Sequence, residues 1–205
     1  MNRKKLLALF VPAVLVLGLD QLTKWIVRTS ETLQDYTIIE GWLEFYLVKN
    51  EGMAMGIDIL PTWAISVIAI LATVGILIYL FKTMKEAKIG YLICMGLVLG
   101  GAFGNISDRL FMGYVYGYGG VLEGHVIDFI HFSLRVWNKP VFPYIFNVAD
   151  IAISVSIIVL FVFNRRLLKL ESDEELLEIE MNNDEANGDD DLETLSQKVI
   201  GEGKD

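Results

Sequence analysis

The chain has 205 residues, 54% of them hydrophobic, and a formal net charge of −9. Its mean hydropathy of +0.48 exceeds that of ordinary soluble domains, which argues for one membrane-embedded domain and against a soluble globular enzyme. The single cysteine, Cys94, excludes an internal disulfide and a cysteine-based metal cluster; between Ile93 and Met95 it is expected to be a small buried hydrophobe.

The first element, Leu6–Val27, is an apolar run of 22 residues, and three more follow: Trp63–Phe81, Ile89–Ile106 and Val148–Phe163, of 19, 18 and 16 residues. Crossing about 30 Å of hydrocarbon takes roughly 20 apolar residues in a helix, so four transmembrane helices forming a membrane all-α core are predicted. The basic "NRKK" start would also suit a cleavable signal peptide. Against that, the apolar run outlasts a signal core, no small-x-small cleavage site follows, and "DQLTKW" continues at helical spacing, so the segment is expected to be retained.

Residues 28–62 separate the first two spans. Within them "TIIEGWLEFYLV" (Thr37–Val48), rich in β-branched and aromatic residues and closed by the turn-forming "KNEGMAMG", predicts strands and a small extracytoplasmic β-sheet on the membrane surface. A short link carrying Lys82, Lys85 and Lys88 joins the second and third spans. Residues 107–146 then form a second long outer segment. Its Tyr114, Tyr116 and Tyr118, spaced among glycines, are read as a surface hairpin in preference to a substrate lid, and Pro140 and Pro143 discourage helix before the fourth span.

The chain closes on residues 171–205, where fourteen acidic residues face two lysines, a balance of −12 that leaves +3 for the rest. So much like charge with so little apolar surface cannot bury a core, so a disordered acidic tail is expected after a domain spanning 1–170. Basic residues mark the cytoplasmic side of short loops. Arg3, Lys4 and Lys5, then Lys82, Lys85 and Lys88, then Arg165, Arg166 and Lys169 all fall on one side of a four-span chain, which predicts cytoplasmic termini.

This topology brings scattered polar residues together. Asp20 lies 14 residues beyond Leu6, about 21 Å along a helix, with Lys24 at i+4 on the same face. Asn105, Asp108 and Arg109 end the third span, Asn147 and Asp150 open the fourth, and Asp128 sits in the outer segment among the apolar residues of "VIDFIHF". All reach one depth on the outer side. A carboxylate near hydrocarbon faces a partner or water and is a functional candidate by default. Two sharing one proton supply an acid and a base together, so Asp128 and Asp150 suit hydrolysis, in either order of roles.

Each residue also has a plainer reading. Asp20 with Lys24 makes an ordinary helix ion pair, Asp108 with Arg109 caps or orients the third helix, and Asn105 and Asn147 bridge helices or orient the neighbouring aspartates. Asp150 suits a first-turn carboxylate, which leaves Asp128 in its apolar setting unexplained. His125 and His131 flank Asp128 without metal-site spacing, and the glycine runs lack the context of a phosphate loop or dinucleotide fingerprint, so no metal or other cofactor is expected.

The same residues carry a family likeness. "DQLTKW" (20–25), "NEGMAMG" (50–56), "GAFGNISDRL" (101–110), "VIDFIHF" (126–132) and "FNVADIAI" (146–153) look like the five motif blocks of bacterial lipoprotein signal peptidase, or signal peptidase II, in that family's order. The resemblance implies a metal-free intramembrane aspartic endopeptidase of the bacterial plasma membrane. Such an enzyme cuts the signal peptide from a prolipoprotein before a diacylglyceryl cysteine at the outer face. It implies Asp128 and Asp150 as catalytic residues, with Asp20, Lys24, Asn50, Gly52, Asn105, Asp108, Arg109 and Asn147 in support. It also implies that the outer sheet cradles substrate.

The chain departs from the family pattern at Met53 and Met55, in a longer stretch between Arg109 and Asp128, and in the acidic tail. The expected partners are diacylglyceryl prolipoproteins and membrane lipid, with no nucleic acid, acting on a monomer. A proton- or ion-coupled carrier would also hold intramembrane carboxylates, but the polar residues gather at one face and no inverted repeat is visible. A scaffold using the acidic tail is the third reading. A presenilin-like or prepilin-peptidase-like protease would want a G-x-G-D motif, which does not occur.

Overall fold

A computed structural model describes residues 3–52, 60–137 and 139–163. The acidic tail, Arg165, Arg166, Lys169, Met53 and Met55 lie outside the described residues. Four helices carry the described part: α1 (Arg3–Thr29), α2 (Thr62–Thr83), α3 (Ile89–Val115) and α4 (Val148–Val162). The first three are long and apolar enough to cross a membrane; α4, at 15 residues, is a shorter apolar helix.

The distribution of side chains is the reverse of a soluble domain's. Leu7, Val14, Leu15, Leu71 and Ile158 are each more than half exposed, while Asp20, Lys24, Asp108 and Asn147 are fully enclosed. Exposed apolar flanks suit a hydrocarbon solvent, and there buried polar groups must find their partners within the protein. Helix α3 lies between α1 and α4 because glycine lets backbones approach. A Cβ on Gly100 would run into the Ala13 carbonyl of α1, and one on Gly101 into the Ala149 carbonyl of α4.

A core of Leu9, Leu80, Met84, Leu92 and Leu99 fills one end of the bundle. There the Lys5 ammonium donates to the Lys85 carbonyl at 2.7 Å, which ties the start of α1 to the α2–α3 link. At the opposite end stands an antiparallel sheet of β1 (Asp35–Ile39), β2 (Leu43–Asn50), β3 (Val126–Phe132) and β6 (Ile145–Phe146), in the order β1–β2–β3–β6. Two further short strands, β4 (Arg135–Val136) and β5 (Lys139–Pro140), pair as a hairpin between β3 and β6.

Strands β1 and β2 fall in the stretch expected to hold them. The third helix is longer than its apolar run implied, because hydropathy measures what crosses hydrocarbon and the helix continues past Ile106 to Val115. The tyrosine- and glycine-rich segment is correspondingly not a hairpin: it finishes α3 and folds back in turns, with the Gly124 N–H donating to the Arg109 carbonyl at 3.0 Å.

Candidate active site

Strand β3 is buried on both faces over its first four residues. Ile127 and Phe129 pack with Val27 near the end of α1, alongside Val148 of α4. Alternation therefore turns Asp128 the other way. The register sets Val48 of β2 opposite Asp128, after a shift that gives β2 one extra residue between Phe45 and Val48. Such a bulge re-aims the strand end. Asn50, two residues beyond Val48, consequently shares the face of Asp128, and its amide donates to Asp128 Oδ2 at 2.9 Å.

Gly52 fixes that amide. Its N–H donates to Asn50 Oδ1 at 2.8 Å, which leaves the Asn50 nitrogen facing the carboxylate. The turn needs φ of +126° at Gly52, a conformation glycine adopts without strain. A side chain there would also run into Ile65.

Asp150 is held by the start of its own helix. Asn147 caps α4: its Oδ1 accepts from the Asp150 N–H at 3.0 Å, and Asp150 Oδ2 accepts from the Asn147 N–H at 3.1 Å. This reciprocal box satisfies two of the donors that every helix start leaves open. Asp20 of α1 satisfies a third, accepting from the Ala149 N–H at 3.0 Å.

The two aspartates are joined by amides from a common source. Lys24 lies 2.8 Å from Asp20 Oδ2 and 2.8 Å from Asp108 Oδ2, and donates to Asn105 Oδ1 at 2.9 Å. With its oxygen committed to the ammonium, Asn105 turns its nitrogen to Asp150 Oδ1, 2.9 Å away. Asn147 donates to Asp128 Oδ1 at 2.7 Å and to Asn105 Oδ1 at 3.1 Å. Lys24 thus orients the Asn105 amide and the α4 cap that of Asn147, and all four oxygens of Asp128 and Asp150 accept a hydrogen bond. Breaking a buried pair at one partner costs about 3–5 kcal/mol, so Lys24, 1% exposed, is the structural centre of this network.

Asp108 and Asn147 also dock the strand: Ile127 gives its N–H to Asp108 Oδ2 at 3.3 Å and takes the Asn147 amide on its carbonyl at 3.4 Å. Arg109 stands alongside with Nη1 buried and without a hydrogen-bond partner among the described residues. Burial, reinforced by the neighbouring Asp150 charge, pushes Asp128 up to about 6, against the opposing hydrogen bonds from Asn50 and Asn147.

All ten residues singled out in the sequence meet here, most by direct hydrogen bonds. One was missed: Gln21, whose amide reaches Asp108 Oδ1 and the Gly104 carbonyl, each at 3.0 Å. Its only signal was its place in "DQLTKW". The histidines lie apart, each beside its own glutamate: His131 Nδ1 is 2.6 Å from Glu44, and His125 Nε2 is 3.8 Å from Glu51.

Asp128 and Asp150 open on one cavity of about 950 Å³, floored by Ile151, Val155 and Ile158 of α4 and walled by Trp42, Phe132 and Phe142. Its mostly apolar lining with a few polar groups at one end suits an elongated, greasy ligand presented to two carboxyl groups.

Comparison with known proteins shows relatives of the chain and of its fold. The family model described as signal peptidase (SPase) II matches residues 12–165. A lipoprotein signal peptidase of Listeria monocytogenes serotype 4a (strain HCC23) is 36% identical over 149 residues, covering 72% of this chain and 86% of the relative. One from Bacillus pumilus (strain SAFR-032) is 34% identical over 155 residues, covering 75% and 89%. A bacterial membrane enzyme solved by the in meso method at 2.3 Å resolution superposes with a TM-score of 0.57 at 27% identity, covering 76% of this chain and 86% of that one.

Proposed function

The chain belongs to the signal peptidase II family, and we propose that it is an aspartic endopeptidase acting on diacylglyceryl prolipoproteins, with Asp128 and Asp150 as the catalytic pair. It cuts the peptide bond before the lipidated cysteine. The observation that carries this reading is the pair itself: two carboxyl groups on one apolar cavity, each oxygen held by a donor.

In this reading the pair works with one shared proton. Burial favours that proton on Asp128, which leaves Asp150, held by the Asn105 amide and the Asn147 N–H, to receive the proton from water. Asp150 takes a proton from water as the water oxygen bonds to the scissile carbonyl carbon, and Asp128 passes its proton to the carbonyl oxygen. Collapse breaks the C–N bond: Asp150 protonates the departing amine, and Asp128 recovers its proton from the hydroxyl. Asn50, Asn105 and Asn147 hold the carboxyls, Gly52 holds Asn50, and Asp20, Lys24 and Asp108 hold the amides. Arg109, with a donor to spare, positions the substrate backbone.

The working topology has four spans, with α4 as the fourth, cytoplasmic termini and the dyad near the outer face of the plasma membrane. It is supported by the basic residues gathered at the end opposite the aspartates. The unit is a monomeric domain of residues 1–170, with 171–205 as an acidic appendage.

Asp128→Asn and Asp150→Asn test the pair. Each is expected to lose cleavage of a diacylglyceryl prolipoprotein in detergent by a factor of 10³ or more, of order the general acid–base contribution, while elution and melting stay those of a folded protein. Full turnover in either variant overturns the assignment.

A further inference from the structure

All four tryptophans lie towards the end of the molecule that carries the dyad. Trp25 follows Asp20 in α1, Trp63 opens α2, Trp42 sits in the β1–β2 turn, and Trp137 in the β4–β5 turn. None is buried: they are 55%, 53%, 50% and 95% exposed, respectively. Tryptophan concentrates at the membrane–water boundary, where its amphipathic ring sits at headgroup level.

Trp137 is the extreme case. It occupies a two-residue turn at φ of +49°, a place where hairpins ordinarily put asparagine, aspartate or glycine. No described residue covers its ring in return. Arg135 and Lys139 flank it, both exposed and neither within ion-pair distance of a carboxylate among the described residues. From Ser133 to Pro143 there is no acidic residue.

The hairpin's position completes the pattern. Leu134, Val141 and Phe142 at its base line the same cavity as Val155 and Ile158 of α4. Those two residues are 48% and 61% exposed on the apolar flank of that helix. The hairpin therefore stands beside the exposed apolar flank of α4.

We propose that the β4–β5 hairpin is a membrane-surface anchor: Trp137 enters the outer headgroup layer, and Arg135 and Lys139 engage anionic phospholipid headgroups. Cations beside an anionic surface and an aromatic ring at its boundary are the two elements of interfacial attachment. The anchor rests on the outer-face topology proposed above, and it fixes one wall of the cavity relative to the bilayer.

The test uses the full chain carrying Cys94→Ala and Trp137→Cys, labelled with a nitroxide and reconstituted in phosphatidylcholine vesicles with or without phosphatidylglycerol. Collisions with oxygen are expected to exceed those with a water-soluble nickel chelate. Phosphatidylglycerol should raise that ratio several-fold, and Arg135→Gln with Lys139→Gln should remove the increase. Equal access to the chelate in both vesicle types overturns the anchor. So does a label shielded only when prolipoprotein is added, which would assign the hairpin to substrate. Prolipoprotein cleavage is measured in parallel on the unlabelled chain: cleavage without lipid contact sinks the anchor alone, and lipid contact without cleavage sinks the peptidase reading alone.

Discussion

With Asp128 3% exposed and Asp150 nearby, its carboxyl is pushed up to about 6 and keeps its proton to about that pH. A dyad that needs that proton loses it as pH rises, so kcat/KM of the full chain is expected to fall through about pH 6. The limb in kcat should lie higher, because bound peptide expels water and further disfavours the charged form. A pH–rate series in detergent checks both; activity that rises through pH 6 would exchange the roles of Asp128 and Asp150. The raised value also means that the folded chain binds, up to about pH 6, a proton the unfolded chain releases near its ordinary 3.8. Stability therefore declines as pH rises through that window. At this scale the sequence was informative where cost leaves a trace. A carboxylate beside hydrocarbon is expensive enough to be conspicuous at Asp20, Asp128 and Asp150. Gln21, a neutral amide next to a charge, carries no such mark, and beyond its neighbour Asp20 its partners, Gly104 and Asp108, arrive from α3.

Among the elements, α3 sets the tolerance of the site. Gly104 lies where a Cβ would press on the Asp20 carboxylate and on Ala149, while Gly100 faces only the α1 backbone and Val16. Gly104→Ala and Gly100→Ala are both expected to lose about 1–3 kcal/mol, the usual result of overpacking. Only Gly104→Ala should also reduce kcat, since it displaces the group that caps α4 beneath Asp150. Melting and turnover of the two variants side by side decide this; equal kcat in both would separate Asp20 from the chemistry. Periodicity and turn residues made β1 and β2 legible. Strand β3 was harder to see, because burial of both faces erases the alternation that marks a half-exposed strand. The extension of α3 was hidden for a different reason: apolar run length reports the membrane, and helix propensity continues beyond it.

For the molecule as a whole, the signal peptidase II match ends at residue 165, just before the acidic run begins. Truncation after Lys169 is accordingly expected to leave prolipoprotein cleavage within about twofold of the full chain, well under the factor of 10 that 1.4 kcal/mol represents. A large loss in the same assay would bring the tail into the working enzyme. The apolar helices could be read from hydropathy because a bilayer imposes its thickness on the chain. The contacts inside the bundle could not, because glycine-mediated approach leaves no periodic signature. What the Lys24 network implies for the future of such a protein is a matter of mutability. Lys24, Asn105 and Asn147 each serve several partners at once, so a change at any of them disturbs both aspartates. The cavity wall is different: Val141, Phe142 and Val155 line it with apolar side chains alone. A drug that leans on that wall invites escape, whereas one that grips the two carboxyls meets residues the lineage cannot readily exchange.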